Sequence, residues 1–66
     1  MLKKDIFYVI KLYGEYDVLS LQYNLFLLKK NSCIIDYKDN IIFTDFKNYN
    51  HIIDYLKNNN IRFEVL

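Results

Sequence analysis

Proline and tryptophan are absent from this chain of 66 residues, and glycine, cysteine and methionine occur once each. With Gly14 as the only glycine, no glycine-rich phosphate loop can form, because such loops need several positions without a side chain where backbone N–H groups approach the anion. The lone Cys33 excludes an internal disulfide, and Cys33 with His51 is too small a set of soft ligands for a structural zinc site. No other metal-ligand spacing appears, and no cofactor is implied. Long apolar runs are lacking too: none approaches the roughly 18 residues of a membrane span. Residues 1–5 lack the apolar stretch and small-residue cleavage site of a signal peptide, so no membrane contact and a cytoplasmic, reducing compartment are expected. A dominant charge is missing as well, since the net charge of +1 gives no whole-molecule attraction to nucleic acid or anionic lipid.

Gly, Ala, Arg and Pro together supply two residues, whereas Ile, Lys, Asn, Tyr, Phe and Met supply 38. The codons of the second group are rich in A and T. The composition therefore points to a low-GC genome, a class that includes phages and plasmids, and it inflates Lys, Asn and Tyr for reasons unrelated to function.

What is present is a folding composition, 53% hydrophobic and 26% charged, which places the chain among globular proteins. Residues 1–66 read as one small domain. A chain this short buries only about 60% of its unfolded surface. Such scaffolds commonly gain stability from disulfides, metals or association, and association is the option left open here, including association of like copies. Twelve residues are Tyr or Phe, more than the core of so small a domain requires.

Residues 33–38 and 41–46 form two β-type runs separated by Asp39-Asn40, a pair that tolerates the left-handed backbone of a tight hairpin. A two-residue loop puts Cys33, Ile35, Tyr37, Ile42, Thr44 and Phe46 on the core face, and Ile34, Asp36, Lys38, Ile41, Phe43 and Asp45 on the other. A helix follows, with Tyr49, Ile52, Ile53 and Leu56 at i, i+3, i+4 and i+7 and with Asn48 or Asn50 as its cap. Asn58-Asn59-Asn60 ends it. Residues 61–66 then alternate as a strand with Ile61, Phe63 and Val65 inward.

Residues 17–30 are ambiguous. Leu19 to Leu25 alternates strictly, as a strand does, while Val18, Leu21, Leu25 and Leu28 line one helical face. Five of the nine leucines and none of the nine isoleucines fall in residues 19–28, which favours helix, as do Asp17 as N-cap and Lys29-Lys30 at the C-terminal end. With the first strand at residues 7–13, the expected class is α+β: a small antiparallel sheet with helices on one face, in the ferredoxin-like order βαββαβ. The alternative is a β-meander followed by one helix and a final strand, ββββαβ.

Three surfaces are candidates for binding. The sheet face turned away from the helices carries Phe7, Val9, Tyr13, Ile41 and Phe43, a patch suited to a protein interface, where Tyr and Phe are enriched. Base stacking on aromatics of adjacent central strands is the use made of such a face in RNA-recognition-motif sheets. Residues 39–46 lack the glycines and flanking basic residues of that motif, and Asp36 and Asp45 share the face, so nucleic acid is the weaker partner. The second surface is a basic end, where Lys3, Lys4, Lys29, Lys30 and Lys47 gather around the start of the later helix, whose free N–H groups favour anions; the ordinary explanation is solvated lysines at element ends. The third is the last strand, an edge with outward Arg62 and Glu64 and no proline or glycine to deter strand pairing.

No catalytic constellation is present. His51 has no Cys or Ser at a recognisable spacing, and Cys33 falls on the core face, where a thiol is inert. The expectation is a non-enzymatic, protein-binding module that covers or blocks a partner. Its concrete form would be a phage- or mobile-element-encoded inhibitor of a host enzyme, such as a defence nuclease. The alternatives are a nucleic-acid-binding regulator using the lysine-rich end and sheet aromatics, and a structural homodimer whose sheets bury each other.

Overall fold

The computed structural model describes residues 7–30 and 35–66. Its elements run β1 (Phe7–Tyr13), α1 (Val18–Lys29), β2 (Asp36–Lys38), β3 (Ile41–Asp45), α2 (Phe46–Asn58) and β4 (Arg62–Val65). The four strands form one antiparallel sheet in the order β2-β3-β1-β4. This is the ferredoxin-like arrangement of an α+β domain, with β1 and β3 central and β2 and β4 at the edges.

Local chemistry accounts for each element. Asp39 and Asn40 both adopt positive φ, 53° and 67°, the primed turn whose twist matches the strands it joins, and Lys38 lies opposite Ile41 as a two-residue hairpin requires. Residues 18–29 are helical, and the Asp17 carboxylate accepts the Ser20 N–H at 3.1 Å as N-cap. At the far end of α2, Asn60 takes a left-handed φ of 56° and its N–H reaches the Lys57 carbonyl, closing the last turn.

β3 passes into α2 without a connecting loop, and this corrects two expectations. The cap of α2 is Asp45, whose side chain accepts the Asn48 N–H at 3.0 Å, rather than Asn48 or Asn50. Phe46, expected in the core, instead opens the helix and is 63% exposed, because the chain has left the two-residue alternation of the strand. Val65, expected inward, stays exposed at the sheet edge.

The core lies between the sheet and the helices and is aliphatic. Ile10, Leu12, Leu21, Leu25, Ile35, Ile42, Ile52, Leu56 and Ile61 are buried. None of the twelve aromatic residues is. Tyr8, Tyr16, Tyr37, Tyr49, Tyr55 and Phe63 are half-buried around the core, and Phe7, Tyr13, Tyr23, Phe26, Phe43 and Phe46 are exposed. Tyr37, Tyr49 and Phe63 therefore border the core they were expected to fill. Tyr8 stacks on Tyr49 with ring centroids 4.1 Å apart, tying β1 to the first turns of α2.

Candidate functional site

Strand alternation sorts the sheet into two faces. Tyr8, Ile10, Leu12, Ile42, Thr44, Tyr37 and Phe63 lie toward the helices. The opposite face holds Phe7, Val9, Lys11 and Tyr13 of β1, Ile41, Phe43 and Asp45 of β3, Asp36 and Lys38 of β2, and Arg62 and Glu64 of β4. The register sets Val9 beside Phe43 and Phe7 beside Asp45, with Asp36 on the far side of Phe43. All five residues read from the sequence as a sheet-face patch thus share one surface. Phe7 and Phe43 are 45% and 43% exposed, while Val9 and Ile41 are half-buried between neighbours.

The patch is less uniform than its five residues suggest, because Lys11 stands among them. Its register partners are Ile41 and Glu64. The Tyr13 hydroxyl donates to Glu64 Oε1 at 2.7 Å, and Lys11 Nζ lies 5.4 Å from the Tyr13 ring centroid. That hydrogen bond, followed by the smaller effects of burial and the Glu64 charge, raises the Tyr13 phenol above its ordinary pKa. Arg62 is the cross-strand neighbour of Tyr13. One end of the face is therefore a polar cluster of Lys11, Tyr13, Arg62 and Glu64, and the apolar part is the row Phe7, Val9 and Phe43. Arg62 and Glu64 belong to this face as well as to the edge strand β4.

Lys29 and Lys30 close α1, Lys47 stands in the first turn of α2, and all three are exposed; Lys3 and Lys4 lie outside the described residues, as do Cys33 and Ile34. The alternating direction of the elements puts α1's end and α2's start at one end of the molecule. There the N–H groups of α2 meet the Asp45 carboxylate, which also accepts from Asn48 Nδ2 at 3.1 Å. The feature that would recruit an anion is already complemented by the chain's own carboxylate. His51 is exposed on α2.

Five of the exposed large apolar side chains, Val18, Leu19, Tyr23, Phe26 and Leu27, lie elsewhere, on α1. Its apolar residues surround the helix instead of lining one stripe, unlike those of α2. Leu21 and Leu25 are buried, whereas Leu19, Tyr23 and Phe26 on the outer side are 78%, 63% and 59% exposed. Clefts flank the helix on both sides, one of ≈ 260 Å³ toward Ile52 and Tyr55 of α2 and one of ≈ 230 Å³ toward Asp36 and Tyr37 of β2. The outer surface was missed in the sequence. The signal was there: once Leu21, Leu25 and Leu28 are given to the core, Leu19, Tyr23 and Phe26 form a second stripe at i, i+4 and i+7.

No group of three or more His, Cys, Asp or Glu side chains suited to a metal ion occurs among the described residues, and no helix among them is long and apolar enough to cross a membrane. No protein-family model, curated protein or solved structure matches the chain.

Proposed function

We propose that this chain is a small, non-enzymatic protein-binding module that covers part of a protein partner with the open face of its sheet. The observation that carries the reading is the adjacency of Phe7, Val9 and Phe43 on the two central strands, set among Lys11, Lys38 and Arg62 on one hand and Asp36, Asp45 and Glu64 on the other. An apolar centre within a rim of both signs complements a protein surface of the same make-up. A polyanion needs an excess of positive charge, and this rim has none.

A module of this kind acts by occupying the surface it covers. Its concrete form, on the grounds of small size, low-GC composition and the absence of a recognisable catalytic motif, is a phage- or mobile-element-encoded inhibitor of a host enzyme, working in the cytoplasm.

The test is capture from nuclease-treated lysate of cells that carry the gene, with wild type, Phe43→Asp and the triple variant Lys29→Ala, Lys30→Ala, Lys47→Ala as baits. The expected result is a protein held by wild type and by the triple variant and lost with Phe43→Asp. Capture indifferent to Phe43→Asp overturns the reading. So does recovery, without nuclease, of nucleic acid alone, released by the triple variant.

A further inference from the structure

A helix that is apolar around its whole circumference belongs in a core, with neighbours on every side. Among the described residues α1 has them on one side only: Leu21 and Leu25 are buried, and the outer stripe of Leu19, Tyr23 and Phe26 stands more open than any aromatic of the sheet face. Residues 18–28 carry no charge at all. The charges sit at the two ends, Glu15 and Asp17 before the first turn and Lys29 and Lys30 after the last. Such a surface, negative at one end, positive at the other and apolar between, is complementary to itself when turned through a two-fold axis.

We propose that a second copy of this chain covers the outer face of α1, the two helices packing antiparallel across a two-fold axis. With the axis at the middle of the stripe, Leu19 of one copy faces Phe26 of the other, the two Tyr23 side chains flank the axis, and Lys30 stands level with Glu15 of the other copy. A parallel pairing would set like charges together. Antiparallel helices also oppose their macrodipoles favourably. Aromatic side chains present roughly 150–250 Å² each, so the open fraction of this stripe and its flanks Val18 and Leu27 is on the order of 500 Å² per copy, near the upper range of patches on monomers. Pairing two copies buries about 1,000 Å², the lower bound of specific interfaces, which corresponds to a weak dimer with a dissociation constant on the order of 100 µM.

The pairing is independent of the proposed partner site, because the helices and the open sheet face lie on opposite sides of the sheet. A dimer built through α1 turns both sheet faces outward, giving two partner-binding faces on one particle. It also differs from a dimer in which the sheets bury each other.

Sedimentation of the purified chain over a concentration series up to about 1 mM, roughly tenfold above that dissociation constant, tests the inference. Wild type is expected to pass from the 8.1 kDa monomer to a dimer. Tyr23→Glu and Phe26→Glu are expected to remain monomeric with an unchanged circular dichroism spectrum, and Phe43→Asp to dimerise as wild type does. Glu15→Lys or Lys30→Glu alone weakens the dimer about tenfold, as two ion pairs become two repulsions, while the two substitutions combined in one chain restore it. A monomer at every concentration, a dimer indifferent to Tyr23→Glu and Phe26→Glu, or a double charge swap that fails to restore pairing overturns the proposal. Loss of dimer in Phe43→Asp also overturns it and assigns self-association to the sheet.

Discussion

The Tyr16 and Tyr37 hydroxyl oxygens share a hydrogen bond of 2.6 Å, joining the segment that leads into α1 to the short edge strand β2. Tyr16 also donates to Asn40 Oδ1 in the hairpin turn. One phenol therefore ties three parts of the chain at the end of the molecule where α1 begins. Tyr16→Phe removes both bonds while keeping the ring, and is expected to cost about 1–2 kcal/mol, the net worth of one or two such bonds. Urea denaturation checks this, with the midpoint falling and the slope unchanged.

Burial, and then the bond with Tyr37, raise the Tyr16 phenol above its ordinary value. Below about pH 10 the phenol is protonated in folded and unfolded chains alike. Above that pH the unfolded chain releases its proton first, so the unfolded state binds fewer protons and stability falls as pH rises. Unfolding free energy measured between pH 8 and 11 should decline from about pH 10 upward, and the decline should be shallower in Tyr16→Phe. The Tyr13 phenol, raised chiefly by its bond to Glu64, acts in the same direction, so Tyr13→Phe should flatten the remainder.

Asp45 ends a strand and begins a helix in a single residue, with its carboxylate on the Asn48 N–H at 3.0 Å. Asp45→Ala is expected to cost about 1 kcal/mol, as loss of an N-cap does, and Asp45→Asn much less, since an amide oxygen accepts as well. Thermal melts of the two variants separate the cap from a general effect of charge.

Leu19 and Leu21 stand two residues apart on α1, on opposite sides of the helix, and are 78% and 0% exposed. Leu21→Ala opens a hole in the aliphatic core and should cost about 3 kcal/mol, a large part of the stability of so small a domain. Leu19→Ala should alter monomer stability by no more than about 0.5 kcal/mol, and should weaken self-association instead. Denaturation of dilute protein, set beside sedimentation of concentrated protein, distinguishes the two effects.

Where one physical rule governed a segment, the fold was legible in the sequence. Asp39-Asn40 announced the hairpin, the single stripe of Tyr49, Ile52, Ile53 and Leu56 announced α2, and leucine without isoleucine decided for helix in α1. The ambiguity of α1 has a structural cause. A helix with Leu21, Leu25 and Leu28 inward and Leu19, Tyr23 and Phe26 outward carries two superimposed helical stripes, and their interleaving mimics the alternation of a strand. The property that obscured its type is the same one that leaves its outer face open.

The sheet face was legible in its membership but not in its chemistry. Alternation placed Phe7, Val9, Tyr13, Ile41 and Phe43 together, and it puts Lys11 on the same face, yet only strand register shows that Lys11 lies between Ile41 and Glu64 and that Tyr13 is drawn into a polar cluster with Glu64. Phe46 was misplaced because the alternation that assigned it stops one residue earlier, where Asp45 caps α2.

Photocrosslinking from position 43 tests the central claim most directly. With benzoylphenylalanine in place of Phe43, irradiation in nuclease-treated lysate should yield a covalent product with one protein of different sequence. The same group in place of Tyr23 should instead give a product of twice the 8.1 kDa chain mass. A crosslinker at position 43 that reaches only nucleic acid, only a second copy of the chain, or nothing would contradict the assignment of the open sheet face to a protein partner.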